Sequence, residues 1–206
     1  MIFIVTIKEV SVPNITITNF KGGVGKSLLA HQLITCYDYH GVEIDPYGSL
    51  KERLPDKVMR VDIDEKNLPD TPENSVFDFG GFDDIKLDQA IQRSDLIIVP
   101  FIPTLESVQG TVDTLGRIKD HDTPILMVAN MVQKEEDVED AKFIFEEVLG
   151  FEVEIYQIPM SVALQTAINE NRAIRELANQ KGIRAYAYKK AQKIIDGLHN
   201  TILGYF

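Results

Sequence analysis

The chain has 206 residues, of which 44% are hydrophobic, and its formal net charge is −11 at pH 7. This length suits one domain spanning residues 1–206, with enough apolar side chains for a sizeable core. No apolar run approaches the ~20 residues that cross a bilayer, so we expect no membrane-spanning segment. Cys36 is the one cysteine, which excludes a disulfide within the chain and an iron–sulfur cluster held by its cysteines.

Short apolar segments rich in β-branched residues alternate with helical patterns along the chain. The predicted strands cover residues 15–18, 42–44, 58–63, 75–79, 95–101, 124–130 and 151–158. The predicted helices cover residues 27–37, 84–92, 105–119, 135–149, 161–179 and 184–203, whereas residues 50–72 give no clear pattern. This alternation predicts an α/β fold whose mostly parallel, twisted sheet is flanked by helices on both faces. Residues 1–12 form either an extra edge strand or a disordered extension.

A glycine-rich loop joins the first predicted strand to the first predicted helix. From Thr18 to Ser27 it reads T-N-F-K-G-G-V-G-K-S, in the strand–loop–helix context that a phosphate-binding loop requires. The glycines allow backbone N–H groups to surround an anion, and the helix adds its positive N-terminal dipole. Lys26 supplies a charge for the β- and γ-phosphates, and the Ser27 hydroxyl supplies a ligand for Mg²⁺. The loop therefore predicts a site for a nucleotide, such as ATP or ADP, with Mg²⁺.

The loop departs from the ordinary motif at its first position, where Phe20 replaces glycine and Lys21 follows. The run K-G-G-V-G-K-S resembles the deviant Walker A motif of the ParA/MinD family of ATPases, which have the P-loop NTPase fold. The resemblance implies that Lys21 reaches across a dimer interface to the second nucleotide, so the chain would form a homodimer in its ATP state. It implies nucleotide contacts from these residues: Lys21, Gly22, Gly23, Val24, Gly25, Lys26, Ser27 and Leu28.

The resemblance extends over residues 14–183 and assigns roles to two acidic residues at strand ends. Asp45, in the run I-D-P-Y-G-S, would orient the attacking water or act through Mg²⁺, and Asp78 would hold Mg²⁺ at the Walker B position. Two features depart from the family pattern, because Glu43 replaces an aspartate and Phe-Gly-Gly follows Asp78 in place of Thr-Pro-Pro. The residues expected to act in catalysis are Lys21, Lys26 and Asp45.

Residues of the last two predicted strands would contact the base. The resemblance implies that Asn130 binds the edge of the adenine, where an amide can both donate and accept a hydrogen bond. It places Pro159 and Met160 beside the base, at the end of the last strand. A turn asparagine after a strand is the competing interpretation of Asn130.

Charge is distributed unevenly along the chain. Residues 169–206 carry seven Lys or Arg against three Asp or Glu, whereas residues 1–168 have a net charge of −15. One interpretation is a solvated helix face, and the other is a patch for a phosphate backbone or an anionic lipid. The candidates for contacts with DNA are Arg172, Arg175, Arg184, Lys189, Lys190 and Lys193.

The first functional hypothesis is a small ParA-type ATPase that partitions DNA. The resemblance implies that an ATP-bound dimer coats nonspecific DNA at the nucleoid, in the cytoplasm. A centromere-binding partner protein would stimulate an otherwise slow hydrolysis. The basic segment 184–206 favours this hypothesis, because Lys and Arg contacts to phosphates supply nonspecific affinity for DNA.

A MinD-like ATPase that positions other components at a membrane is the first alternative. It needs an amphipathic anchor near the C-terminus, beside the lysines of the last predicted helix. Docking of that helix on the core is the competing interpretation of the same apolar face. The residues of this face are Ile194, Ile195, Leu198, Ile202, Leu203 and Phe206.

Two further alternatives stay open. A weakly active, ATP-binding scaffold or regulator fits the departures at Glu43 and after Asp78. A bacterial tyrosine kinase draws weak support from the tyrosines near the C-terminus, and Lys21 argues against it. These tyrosines are Tyr186, Tyr188 and Tyr205.

Overall fold

The computed structural model describes residues 12–206, so the edge strand or extension considered for the first twelve residues lies outside it, apart from Val12. Seven strands are present in this part of the chain: β1 (Ile15–Ile17), β2 (His40–Ile44), β3 (Val58–Arg60), β4 (Ser75–Phe79), β5 (Leu96–Phe101), β6 (Ile125–Val132) and β7 (Glu154–Pro159). The helices that alternate with them are α1 (Lys26–Tyr37), α2 (Leu50–Arg53), α3 (Leu87–Gln92), α4 (Leu105–Ile118), α5 (Glu135–Leu149), α6 (Val162–Asn169), α7 (Ile174–Ala178) and α8 (Arg184–Leu203).

The strands form one parallel sheet in the order β3-β2-β4-β1-β5-β6-β7. β1 is central, and its Ile15 pairs with Val76 of β4 on one side and with Leu96 of β5 on the other. The direction in which the chain adds strands reverses at β1. Open α/β sheets bind their ligands at such a reversal, beyond the carboxyl ends of the strands. The predicted parallel α/β fold is therefore confirmed.

Helices cover both faces of the sheet, and each face has its own apolar core. α1, α6, α7 and α8 pack on one face, where Leu164 and Ile195 are buried. α3, α4 and α5 pack on the other face, where Leu115 and Phe145 are buried. Because both faces are covered, a central strand such as β5 carries a continuous apolar sequence, and all six of its residues are buried.

The final helix, α8, docks on the core. Ile195, Leu198 and Ile202 are buried in the same cluster as residues of α6 and α7. Half of the apolar side chains considered for a MinD-like anchor are therefore already covered by protein, which supports the core-docking interpretation. Within residues 12–206, no helix has both the length and the apolar character needed to cross a membrane.

The structure corrects several of the boundaries predicted from the sequence. The helix predicted over residues 161–179 is divided into α6 and α7, because Asn171 between them adopts a left-handed backbone conformation with φ of 52°. Its side-chain oxygen also lies 3.0 Å from Nε2 of the buried His31, which fixes the break against α1. β3 ends at Arg60 and not at residue 63, and the unassigned segment 50–72 begins with the short helix α2.

Candidate nucleotide-binding site

The predicted phosphate loop leaves β1 at the carboxyl edge of the sheet and leads into α1. Helix α1 begins at Lys26, and Gly25 before it has a φ of 105°. Gly23 has a φ of 78°, and glycine accommodates these left-handed conformations because it has no Cβ. The loop lines a pocket of about 280 Å³. A glycine loop and a helix N-terminus that face one pocket together favour an anion.

Lys26 is held inside the loop, with only 7% of its surface exposed. Its Nζ donates hydrogen bonds to the carbonyl oxygens of Asn19, at 2.7 Å, and Lys21, at 3.1 Å. Burial lowers the pKa of Lys26, and the carboxylates of Asp78 and Asp45 oppose that shift. Because an ammonium has three N–H donors, one donor remains for a phosphate oxygen.

Asp78 lies in β4 beside the phosphate loop and is completely buried. Neither of its carboxylate oxygens has a hydrogen-bond partner among residues 12–206. Burial raises the pKa of Asp78 to about 7, although the Ser27 hydroxyl and the Lys26 ammonium oppose the rise. Mg²⁺ prefers one or two protein oxygen ligands and completes its shell with phosphate oxygens and water. An unpartnered buried carboxylate beside a serine hydroxyl therefore fits the metal that the sequence predicted.

Asp45 begins the loop that follows β2 and lines the same pocket as Lys26 and Ser27. Its Oδ1 accepts a hydrogen bond from the backbone N–H of Tyr47 at 2.9 Å, which closes a tight turn. The side chain is only partly buried, so water or a phosphate in the pocket can approach it. This placement is compatible with the predicted role of Asp45 in orienting water.

Glu43 anchors the loop that follows β2. Its carboxylate is fully buried and accepts hydrogen bonds from the backbone N–H groups of Leu50, at 2.7 Å, and Lys51, at 3.2 Å. Arg60 of β3 donates two hydrogen bonds to Glu43 Oε2, at 2.9 and 2.7 Å, and one to the Gly48 carbonyl oxygen at 2.7 Å. The residue that departs from the family pattern therefore caps α2 and ties the loop to β3.

Asn130, in β6, contacts the phosphate loop directly. Its Nδ2 donates a hydrogen bond to the Val24 carbonyl oxygen at 2.9 Å, and its Oδ1 accepts one from the Met131 backbone N–H at 2.9 Å. A Cβ added at Gly25 would clash with the Asn130 amide, so the loop passes closely over this side chain. The second N–H of the amide and the second lone pair of its oxygen are not used by these hydrogen bonds, so the predicted contact with adenine needs neither of them to break.

We expect Asn130→Ala to weaken ATP binding about tenfold, because losing one buried hydrogen bond costs about 1–1.5 kcal/mol and here it loosens the loop. Titration with a fluorescent ATP analogue measures the change. Asn200→Ala removes an exposed amide from α8 and serves as the control. Unchanged affinity in Asn130→Ala would show that the loop keeps its shape without this amide.

Lys21 does not line the phosphate pocket of its own chain. Its ammonium forms an ion pair with Glu106 at the start of α4, and its aliphatic stem runs beside Gly110. The Lys21 side chain is 34% exposed and that of Glu106 is 83% exposed. Exposed ion pairs contribute only about 0–1 kcal/mol, so Lys21 can leave this position at little cost.

The residues predicted to contact the base lie together at the other end of the site. Leu28, Pro159 and Met160 line a groove of about 240 Å³, and Asn130 separates it from the phosphate pocket by lining both. Gln165 of α6 also lines both spaces, although no sequence motif marked it. A nucleotide whose phosphates lie at the loop can therefore place its base in this groove.

The basic residues considered for DNA contacts divide into two groups. Arg175 donates hydrogen bonds to the Cys36 carbonyl oxygen, at 2.7 Å, and to Asp196, at 2.8 Å. Arg172 forms an ion pair with Glu176 at 3.3 Å. Arg175 therefore joins α7 to α1 and α8, whereas the Arg172 ion pair is local and largely exposed. The other four are exposed, on α8: Arg184, Lys189, Lys190 and Lys193.

A family profile that describes the CobQ/CobB/MinD/ParA nucleotide binding domain matches residues 15–174, which is most of the chain. The chain belongs to this family. The matched span runs from β1 to the start of α7 and contains the phosphate loop, Asp45, Asp78 and Asn130. The resemblance to ParA and MinD inferred from the loop is thereby confirmed at the level of the family. Among curated proteins, no match was found.

Three solved structures have the fold of this CobQ/CobB/MinD/ParA domain. The pNOB8 ParA structure has a TM-score of 0.64 at 14% identity, covering 93% of this chain and 98% of that chain. A complex of an McdA variant from Cyanothece with ATP has a TM-score of 0.63 at 13% identity, covering 94% and 97%. The septum site-determining protein MinD of Pyrococcus horikoshii with Mg-ADP has a TM-score of 0.59 at 14% identity, covering 90% and 95%. Such low identities show the fold alone.

One departure of this MinD/ParA-type domain from the family pattern has a local explanation. A Cβ added at Gly81, in the Phe-Gly-Gly run after Asp78, would lie 3.2 Å from the backbone nitrogen of Gly22. The glycine therefore allows the loop after β4 to lie close against the phosphate loop. With Lys26, Ser27 and the acids at the strand ends, the site can hold a nucleoside di- or triphosphate together with a divalent cation.

Proposed function

We propose that the chain is an ATP-dependent, dimerising ATPase that binds DNA without sequence preference and drives plasmid or chromosome partitioning. The observation that carries the proposal is a set of exposed lysines on α8 in a protein that is otherwise acidic. The phosphate loop with Lys21 supplies the ATP-dependent part of the proposal. The structures of family members with ATP and with Mg-ADP support the choice of nucleotide and metal.

Hydrolysis would depend on positioning and electrostatics, as in other phosphoryl transfers. Lys26 neutralises charge on the transferred phosphoryl group, and the loop amides fix its orientation. Asp45 orients the attacking water from the loop after β2. Ser27 and Asp78 would hold Mg²⁺, which would neutralise negative charge on the phosphates. Lys21 of the second copy supplies further positive charge, so turnover is slow until dimer and partner are both in place.

DNA binding would use the outer face of α8. Lys189, Lys190 and Lys193 lie on the side of this helix opposite its buried residues, and Tyr186 on the same face is 81% exposed. Lysines on one helix face can contact successive phosphates, and such contacts need no particular base sequence. The partners that follow are a second copy of the chain, nonspecific DNA and a centromere-binding protein, with the protein located in the cytoplasm at the nucleoid.

The test is fluorescence anisotropy of a labelled random duplex with ATP, with ADP, and across a salt series. We expect tight binding with ATP only, and weaker binding in the variant Lys189→Ala/Lys190→Ala/Lys193→Ala, whose log–log salt slope should fall by up to about three. The matched control, Lys66→Ala/Lys119→Ala/Lys134→Ala, makes the same charge change at exposed lysines elsewhere. Wild-type protein that binds no duplex under any nucleotide would refute the DNA-partitioning function and favour the scaffold alternative.

A further inference from the structure

A second apolar groove lies away from the nucleotide, between α4 and α5. It has a volume of about 470 Å³, within the ~300–1,000 Å³ range of ligand pockets. Its floor and walls include Val108 and Leu105 of α4 and Phe143 and Ile144 of α5. No motif in the sequence marks this surface.

The apolar side chains of the groove extend onto the open surface. Leu105 is 74% exposed, Phe143 is 63% exposed and Ile144 is 37% exposed. Single exposed apolar residues are ordinary, but a contiguous set around a concave surface marks an interaction site. Few polar groups converge inside this groove, whereas a small-molecule site places several there to orient its ligand. The shape and composition therefore fit side chains of a protein segment.

The rim of the groove is strongly acidic. Asp137 and Asp140 line it, and within residues 12–206 no Lys or Arg does. Helix α5 as a whole carries seven Asp or Glu and one basic residue, Lys142, which pairs with Glu146 at 3.7 Å. The field at the groove is therefore negative, and it attracts a segment that carries Lys or Arg.

We infer that this groove, named here the α4–α5 groove, binds a short segment of another protein in which apolar side chains are flanked by Lys or Arg. Its apolar anchors enter between Leu105 and Phe143, and its cations pair with Asp137 and Asp140. A helix laid in such a groove presents anchors at spacings of three and four residues. A second copy of the chain fits less well, because the basic helix α8 already buries Ile195, Leu198 and Ile202 against its own core.

Occupancy of the groove is linked to the nucleotide site through α4. Leu105 in the groove is followed by Glu106, which forms the ion pair with Lys21. A segment that covers Leu105 and brings its own cations competes for the Glu106 carboxylate and releases Lys21. This consequence for hydrolysis rests on the proposed function, whereas binding in the groove does not.

The experiment selects displayed random peptides of about 12 to 16 residues against the full chain, and then measures the binding of enriched peptides by calorimetry. Two variants alter the groove: Leu105→Ser/Phe143→Ser and Asp137→Asn/Asp140→Asn. Their matched controls are Ile63→Ser, an exposed apolar residue elsewhere, and Glu139→Gln/Glu147→Gln, exposed acids of α5 outside the groove. ATP-analogue binding is measured on every variant, so that failure of the nucleotide site is seen separately.

We expect enriched peptides to combine apolar residues with Lys or Arg, and to lose at least about tenfold in affinity in both groove variants but not in the controls. Enriched peptides that bind all variants equally, or a selection that yields none, would overturn the inference. Sedimentation that shows self-association lost only in Leu105→Ser/Phe143→Ser would also overturn it, because a second copy would then be the occupant. Each of these three results leaves the DNA-binding proposal standing.

Discussion

Replacing Asp78 by Asn is expected to reduce Mg²⁺-dependent ATP hydrolysis by about two orders of magnitude or more, because it removes a charged ligand at the reacting phosphates. The same substitution should change how stability depends on pH. Burial raises the pKa of Asp78 to about 7 in the folded protein, from an ordinary value of 3.8, although the Ser27 hydroxyl and the Lys26 ammonium oppose the rise. Between these values the folded state holds a proton that the unfolded state has released.

The sign of the pH effect follows from that difference in bound protons. Without Mg²⁺, the free energy of unfolding of the wild-type protein falls as pH rises from about 4 to about 7, and stays low above pH 7. A pKa difference of about three corresponds to a loss on the order of 2–4 kcal/mol in the free energy of unfolding. The Asp78→Asn protein should not show this loss, because its amide does not ionise. Urea denaturation at pH 5 and pH 8 measures the loss in both proteins.

The control for this prediction is Asp122→Asn, which changes an exposed carboxylate and should keep the wild-type pH dependence. Mg²⁺ should restore stability at pH 8 to the wild-type protein and to Asp122→Asn but not to Asp78→Asn, because the metal binds the ionised Asp78 carboxylate. If the free energy of unfolding of Asp78→Asn depended on pH as that of the wild-type protein does, Asp78 would ionise in the folded state at no cost. A bound cation would then not be needed to stabilise its carboxylate.

Replacing Lys21 by Ala is expected to abolish ATP-dependent dimerisation and to reduce hydrolysis about a thousandfold, while the monomer still binds ATP within a few fold of wild type. A cation supplied to the phosphates by a second molecule is worth about 10³–10⁵ in rate in comparable enzymes. Lys21 lies outside the phosphate pocket of its own chain and contacts the exposed Glu106, so ATP binding in the monomer does not depend on it.

Two further variants separate the roles around Lys21. Lys26→Ala should lose ATP binding itself, because Lys26 is the buried cation of the loop. Glu106→Gln removes the partner of Lys21 but keeps the lysine, and should dimerise with ATP at least as well as wild type. Sedimentation velocity with ATP or ADP reports the dimer, and phosphate release reports the rate. A Lys21→Ala protein that turns over ATP at the wild-type rate would contradict the role across the dimer.

The sheet and the phosphate loop could be predicted because their signals are local. The apolar run of β5 needs both faces covered, and the glycines of the loop stand directly before a helix, so neighbouring residues suffice to identify each. The break between α6 and α7 was missed because it depends on a distant contact. Asn171 leaves the helix to meet His31, which lies far away in the sequence.

The supporting residues of the site were missed for the same reason. Glu43 looked like a departure from a pattern, and its purpose becomes visible only when Arg60 of the neighbouring strand and the start of α2 are in place. The resemblance implies that Asn130 contacts the base, and it does not show that the same amide donates a hydrogen bond to the Val24 carbonyl oxygen. Gln165 lines the phosphate pocket from α6. The sequence predicts a helix there but does not show which of its residues face the pocket.

The contact between Asn130 and the turn at Gly25 also bears on how such a protein can evolve. Any side chain at Gly25 would occupy the space of the Asn130 amide, and it would also have to adopt an unfavourable backbone conformation. A smaller residue at position 130 removes the first obstacle but not the second. A change at position 130 therefore cannot make another residue acceptable at position 25. We therefore expect relatives of this protein to keep Gly25, including those in which the residue at position 130 varies.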